Sequence, residues 1–258
     1  MKNLIKNVAL MFSVLLTFTT FAQNTSYKIN QQKRVLLVVS SYDDMGISGK
    51  QTGTWFTELA APYYILTEAG FEVVFASPKG GEVPIDLLSM KTPFTTPYTE
   101  KFLNDPIVMY AAKHTRELRN IDYNTFDAVF IPGGYGLLTD LASDQSLIKL
   151  IKDFYETGRP IAMVCHAPAI LRDVKLSNGK YLVEGKNLTG FKDSEDAEIE
   201  LDRHLLFSLE QELKRRGANY KSVKNWAPNV VVDGALMTGQ SPASAPPLAE
   251  ALRDVLKK

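Results

Sequence analysis

The sequence predicts a single α/β domain, a parallel β-sheet covered by helices on both faces, and three observations carry that expectation. Short apolar runs alternate with helix-length segments in the order β-α-β-α-β-α-β, the pattern of crossover connections between parallel strands. The runs are apolar throughout, as strands buried on both faces are. No repeat and no linker composition divides the 258 residues, so one domain is expected.

The first 22 residues stand apart. Lys2 and Lys6 precede an apolar run over 8–22, and Thr20-Phe21-Ala22 ends it on a small residue. That is the layout of a secretory leader, with Gln23 as the mature start and a domain over 23–258. The run is shorter than the roughly 20 residues of a spanning helix. No cysteine lies near the cut to carry a lipid, so a periplasmic or secreted protein without membrane contact is expected.

The elements follow in order. Residues 34–40 (RVLLVVS) read as the first strand, and 41–53 as a glycine-bearing loop at its carboxyl end, where open α/β sheets place ligands. A helix over 55–69 stops at Gly70, and 72–77 is the second strand. Residues 78–97, rich in proline, glycine and threonine, read as a loop; 98–118 as a helix broken at Pro106. Residues 126–131 form the third strand and run into Pro132-Gly133-Gly134-Tyr135-Gly136. A helix over 144–156 ends at Gly158, and the fourth strand is 161–164. In the last third a short strand (186–191) precedes an acidic loop (192–198) and a helix over 204–216 capped by Gly217. Residues 230–237 read as a small hairpin turning at Asp233-Gly234, and a closing helix starts at 239–242.

Composition narrows the function. Lys+Arg and Asp+Glu both number 29, with no basic run, so a nucleic-acid partner is not expected. One cysteine allows no internal disulfide, and no histidine pair has metal-ligand spacing, so no essential metal is expected. His114 and His204 sit among charged residues and read as solvated.

The one cysteine, Cys165, ends the fourth strand, with His166 directly after it and Pro168 suited to the first turn of a following helix. It reads either as a small buried hydrophobe or as a nucleophile lifted above the sheet at a sharp strand–helix turn. In the second reading the helix N-terminus pushes the thiol towards thiolate. The Pro-Gly-Gly-Tyr-Gly run is either a tight turn or the source of amides that, with His166 N–H, cradle an oxyanion. Glu58 is either a solvated helix position or a desolvated carboxyl facing the thiol. Asp193, Glu195, Asp196 and Glu198 are all candidates for the acid that orients His166.

These motifs together carry a resemblance. Glu58 in its helix, Ile131-Pro132-Gly133-Gly134-Tyr135-Gly136 and Val164-Cys165-His166-Ala167-Pro168 resemble the ThiJ/PfpI superfamily, with its class I glutamine amidotransferase-like, flavodoxin-like fold. Ala76-Ser77-Pro78-Lys79-Gly80-Gly81, Leu188-Thr189-Gly190-Phe191 and Leu236-Met237-Thr238-Gly239-Gln240-Ser241-Pro242-Ala243-Ser244 are similar to its chaperone–glyoxalase III (D-lactate dehydratase) branch. The resemblance implies Cys165 as nucleophile, Glu58 as the carboxyl beside it, His166 as its partner and Gly134 in the oxyanion hole. It also implies Asp196, five residues after the Thr-Gly-Phe aromatic, as the orienting acid. The implied activity is cofactor-free, glutathione-independent conversion of a methylglyoxal-like aldehyde to a 2-hydroxy acid, by a homodimer. Ala167 stands where many relatives have glycine, and a leader is unusual in the family. A cysteine peptidase or amidase and a non-catalytic holdase or thiol redox sensor are the competing expectations. The downstream His-x-Glu pair of glutamine amidotransferases is absent.

Overall fold

A computed structural model describes residues 32–45 and 50–258; the expected leader lies outside the described residues. The apolar runs become β1 (Arg34–Val38), β2 (Glu72–Ser77), β4 (Ala128–Ile131) and β5 (Ile161–Val164), joined by the two-residue β3 (Arg116–Glu117). Two more strands, β8 (Val230–Asp233) and β9 (Leu236–Gly239), form the expected hairpin with Asp233 paired to Leu236. The sheet order is β3-β2-β1-β4-β5-β9-β8, parallel at every pairing except β8–β9. Every residue of β4 and β5 is buried, which explains why neither run alternates with polar residues.

The main helices are α1 (Phe56–Glu68), α4 (Gln145–Glu156) and α7 (Ala245–Leu256). From Leu36 onward the side chains enter different buried clusters in turn: Leu37 of β1 and Val39 just past its end join Leu59, Ala60 and Tyr64 of α1, while Leu36 and Val38 join Leu150 and Phe154 of α4. Alternation along a strand therefore puts helical cover on both faces, as expected.

Four expectations are corrected. The segment expected as one broken helix is two short ones, α2 (Pro97–Leu103) and α3 (Pro106–Lys113), each starting at a proline behind a side-chain cap from Thr96 or Asp105. The acidic 192–198 segment is not a loop but a helix, α5 (Asp193–Glu198), because acids in a first turn suit the helix N-terminus. The helix expected over 204–216 shortens to α6 (Leu209–Arg215), capped by Ser208. The expected strand at 186–191 reduces to β6 (Asn187–Leu188), paired in a separate small sheet with β7 (Asn219–Tyr220).

Parallel pairing brings the carboxyl ends of β1, β4, β5 and β9 to one edge. The loops leaving those ends carry Gly133, Gly134, Cys165 and Ser241.

Candidate active site

Cys165 follows the last residue of β5 and adopts φ 63°, a left-handed conformation uncommon for a residue with a Cβ. Two flanking elements hold it there: its N–H donates to Gly239 O at 3.0 Å, and its carbonyl accepts from Phe191 N–H at 2.9 Å. The chain then turns into a 3₁₀ segment (Ala167–Asp173) with Pro168 in its first turn. The elbow is real, and the thiol at its tip is 5% exposed, opening on a cavity.

His166 is buried with its ring between Tyr135 and Phe191, centroids 4.5 Å away on each side. Its Nδ1 lies 3.4 Å from Cys165 Sγ, and its Nε2 lies 3.1 Å from Asp196 Oδ1. A carboxylate accepting from Nε2 assigns the imidazole hydrogen to that nitrogen, which leaves the Nδ1 lone pair facing the sulfur.

The four candidate acids separate cleanly. Asp196, buried on α5, meets His166. Glu195 is buried too, but it accepts from Trp226 N–H (2.8 Å), Lys192 N–H (3.1 Å) and the Gln240 amide (3.1 Å), tying α5 to the loop after β9. Asp193 accepts from Gln211 at 2.9 Å, and Glu198 accepts from Asn225 at 2.8 Å. Neighbouring positions on a helix point 100° apart, so one acid of the four reaches the imidazole.

Glu58 is fully buried in the first turn of α1. Its Oε2 accepts from Gly133 N–H at 2.7 Å, Oε1 has no hydrogen-bond partner, and the carboxyl contacts the Cys165 sulfur. Burial pushes its pKa up to about 8, against the pull of the Gly133 amide and Cys165. The carboxyl is therefore protonated at neutral pH and has a proton to give.

The N–H groups of Gly134 and His166 both point to the Cys165 sulfur, which places two donors where an anion forms. Gly134 has φ 109°, and a Cβ there would lie 2.0 Å from Gly53 O; a Cβ on Gly133 would lie 2.5 Å from Cys165 Cβ. The loop is thus packed against the site, with no room for a Cβ at either glycine.

One expectation about the thiol meets an opposing effect. The helix N-terminus was expected to lower its pKa, but burial pushes the thiol up, while the N–H groups of Gly134 and His166 pull it back down. The segment after Cys165 is a 3₁₀ turn, not an α-helix, so little aligned dipole opposes the desolvation. The group beside His166 Nδ1 is a thiol that needs a base, and the imidazole is positioned as that base.

Sequence reasoning missed Tyr135. Its hydroxyl donates to Asp196 Oδ1 at 3.2 Å, and burial beside that carboxylate raises its own pKa. Its place directly after the oxyanion glycine was the available signal. His114 and His204 are exposed, as expected. Among the described residues no group of three or more His, Cys, Asp or Glu side chains is placed to hold a metal.

The chain matches the DJ-1/PfpI family profile over residues 51–254. It is 34% identical over 239 residues to the glutathione-independent glyoxalase HSP31 of Saccharomyces cerevisiae, covering 87% of this chain and 98% of that one. It is 30% identical to glyoxalase 3 of Candida albicans over 84% of this chain and 95% of that one. Among solved structures, the rapid encystment protein REP24 of Francisella tularensis superposes with a TM-score of 0.83 at 34% identity, covering 87% of this chain and 99% of that chain. Glyoxalase III from Candida albicans gives 0.78 at 28%, over 85% and 95%.

Proposed function

The chain belongs to the DJ-1/PfpI family, and from that premise we propose that it is a glutathione-independent glyoxalase that turns α-ketoaldehydes into 2-hydroxy acids on the Cys165 thiol. One observation carries this reading: a single sulfur has a base at 3.4 Å, a buried carboxyl against it and two N–H groups aimed at it. Its named relatives act as glyoxalases over nearly their whole length.

The chemistry balances without an outside oxidant. His166 Nδ1 takes the thiol proton as sulfur bonds to the aldehyde carbon. The C=O π bond opens onto oxygen, which rests on the Gly134 and His166 amides and takes the proton back from His166 Nδ1. Loss of the C1 hydrogen to His166 makes an enediol, and Glu58 supplies a proton to the adjacent oxygen. Return of the proton from His166 to C2, with the C1 hydroxyl proton passing to Glu58, leaves a thioester: C1 is oxidised to the acyl level while C2 is reduced to the alcohol. Water then cleaves the C–S bond, releasing lactate from methylglyoxal and restoring the thiol. Asp196 holds the imidazole in the tautomer that serves each transfer, and Tyr135 holds Asp196.

The test is lactate formation from methylglyoxal without glutathione. Wild type is expected to turn over and Cys165→Ala to stop; equal rates refute the reading. We also propose export with cleavage before Gln23, checked by the intact mass of protein recovered outside the cytoplasm; retention of residues 1–22 refutes it.

A further inference from the structure

The cavity above Cys165 is larger and more apolar than the smallest α-ketoaldehyde requires. It measures about 450 Å³, room for about 15 water-sized groups, whereas methylglyoxal offers a methyl beyond its two carbonyls. Leu88, Phe94, Ile199 and Trp226 on its wall are 54%, 39%, 41% and 38% exposed. Large apolar side chains held half in water around one opening mark a ligand groove, since their exposure goes uncompensated until something covers them.

The aromatic lining is ordered. Behind the wall, the buried His166 ring meets Phe191 at 4.5 Å between centroids, and Phe191 meets Trp226 edge-on at 5.6 Å, so the lining aromatics run from beside the catalytic base to the mouth. Trp55 and Phe94, edge-to-face at 5.2 Å, line the cavity as well. Trp226 adopts φ 64°, a conformation that bulky residues avoid, and its N–H is fixed to buried Glu195 at 2.8 Å. Backbone strain is thus maintained to present an indole at the opening. The cavity's carboxylate, Asp86, is already used by Leu88 N–H and the Thr52 hydroxyl. Among the described residues the lining holds one cationic side chain, Lys50, and no arginine.

Resting on the glyoxalase reading, we propose that this cavity selects α-ketoaldehydes bearing a bulky apolar or aromatic group, with phenylglyoxal or a long alkylglyoxal preferred over methylglyoxal. The added group lies along the Phe191–Trp226 wall, away from the reacting carbons. Its burial is therefore shared by ground and transition states and appears in KM.

The experiment measures 2-hydroxy acid formation from methylglyoxal, a long-chain alkylglyoxal, phenylglyoxal and hydroxypyruvaldehyde by the full chain. The alkyl member matches methylglyoxal in carbonyl reactivity, so it separates burial from electrophilicity. KM is expected to fall at least about tenfold from the methyl to the long alkyl and phenyl substrates. Phe94→Ala and Trp226→Leu are each expected to shrink that KM ratio severalfold. Turnover with no apolar preference, or a lower KM for hydroxypyruvaldehyde, overturns the proposal and leaves the glyoxalase reading standing. No Cys165-dependent turnover of any of the four overturns both.

Discussion

Glu58→Gln tests the central electrostatic claim through stability as well as rate. In the folded protein the carboxyl titrates at about 8, against an ordinary value of 4.5. At about 1.4 kcal/mol for each pH unit, that gap is about 5 kcal/mol of selection against the charged form. The sign follows from proton counting. Between pH 4.5 and 8 the unfolded chain has lost this proton and the folded chain keeps it, so stability falls as pH rises. Below 4.5 both states are protonated and the stability is fully present; it is lost progressively up to about 8. Glutamine has no charge to bury. Relative to wild type, the variant should therefore gain about 3 kcal/mol between pH 4.5 and 7, on a constant offset of about 1 kcal/mol for its amide nitrogen beside the sulfur. Urea midpoints at pH 5, 6, 7 and 8 measure the trend, and lactate formation should collapse in the same protein. Parallel stability curves for the two proteins would show that Glu58 is not held protonated, and the proton-donor role would go with it.

Other perturbations address the remaining parts of the site. Asp196→Asn should lower kcat at least about a hundredfold with a small change in melting temperature, because an amide donor favours the wrong imidazole tautomer; steady-state kinetics and thermal melts check both halves. Tyr135→Phe keeps the ring on His166 but removes the 3.2 Å bond to Asp196. It should cost about 1–2 kcal/mol of stability and reduce kcat severalfold, with the pH profile displaced. Gly133→Ala puts a methyl 2.5 Å from Cys165 Cβ and 2.8 Å from Glu58 Oε2. Activity should vanish and stability drop by about 1–3 kcal/mol, read by denaturant unfolding. Wild-type kcat should decline as pH rises through about 8, and the limb should be absent from residual Glu58→Gln turnover.

The parts of this molecule legible in advance are those whose cause is local. Runs such as Val35-Leu36-Leu37-Val38 announce a doubly covered strand by themselves, and the abrupt change at Cys165 announces the elbow. Glu58, Gly134, His166 and Asp196 were candidates from their local sequence and were given roles by motif resemblance; the geometry brings the first three to one sulfur and Asp196 to the far side of the imidazole. What local sequence did not carry was set by groups distant along the chain. Glu195 and Asp196 are adjacent and alike, yet Gln240 and Trp226 draw one away while His166 receives the other. The burial that raises the thiol's pKa is set by groups distant along the chain, which no tripeptide around Cys165 encodes. The cavity wall joins residues 55, 94, 191 and 226, whose neighbourhood exists only once the sheet has ordered its strands. Residues 192–198 read as an acidic loop because six residues carry too short a pattern to announce the helix Asp193–Glu198.

The hydrogen bond from Cys165 to Gly239 sets a timetable for biosynthesis. The sulfur-bearing turn leaves the ribosome well before its acceptor, 74 positions further along, has been made. Until β9 arrives to flank β5, the growing polypeptide holds its thiol without the carbonyl that fixes the elbow. Catalytic competence is thus a late event in the birth of each molecule, and polypeptides released prematurely before β9 should be inert towards aldehydes.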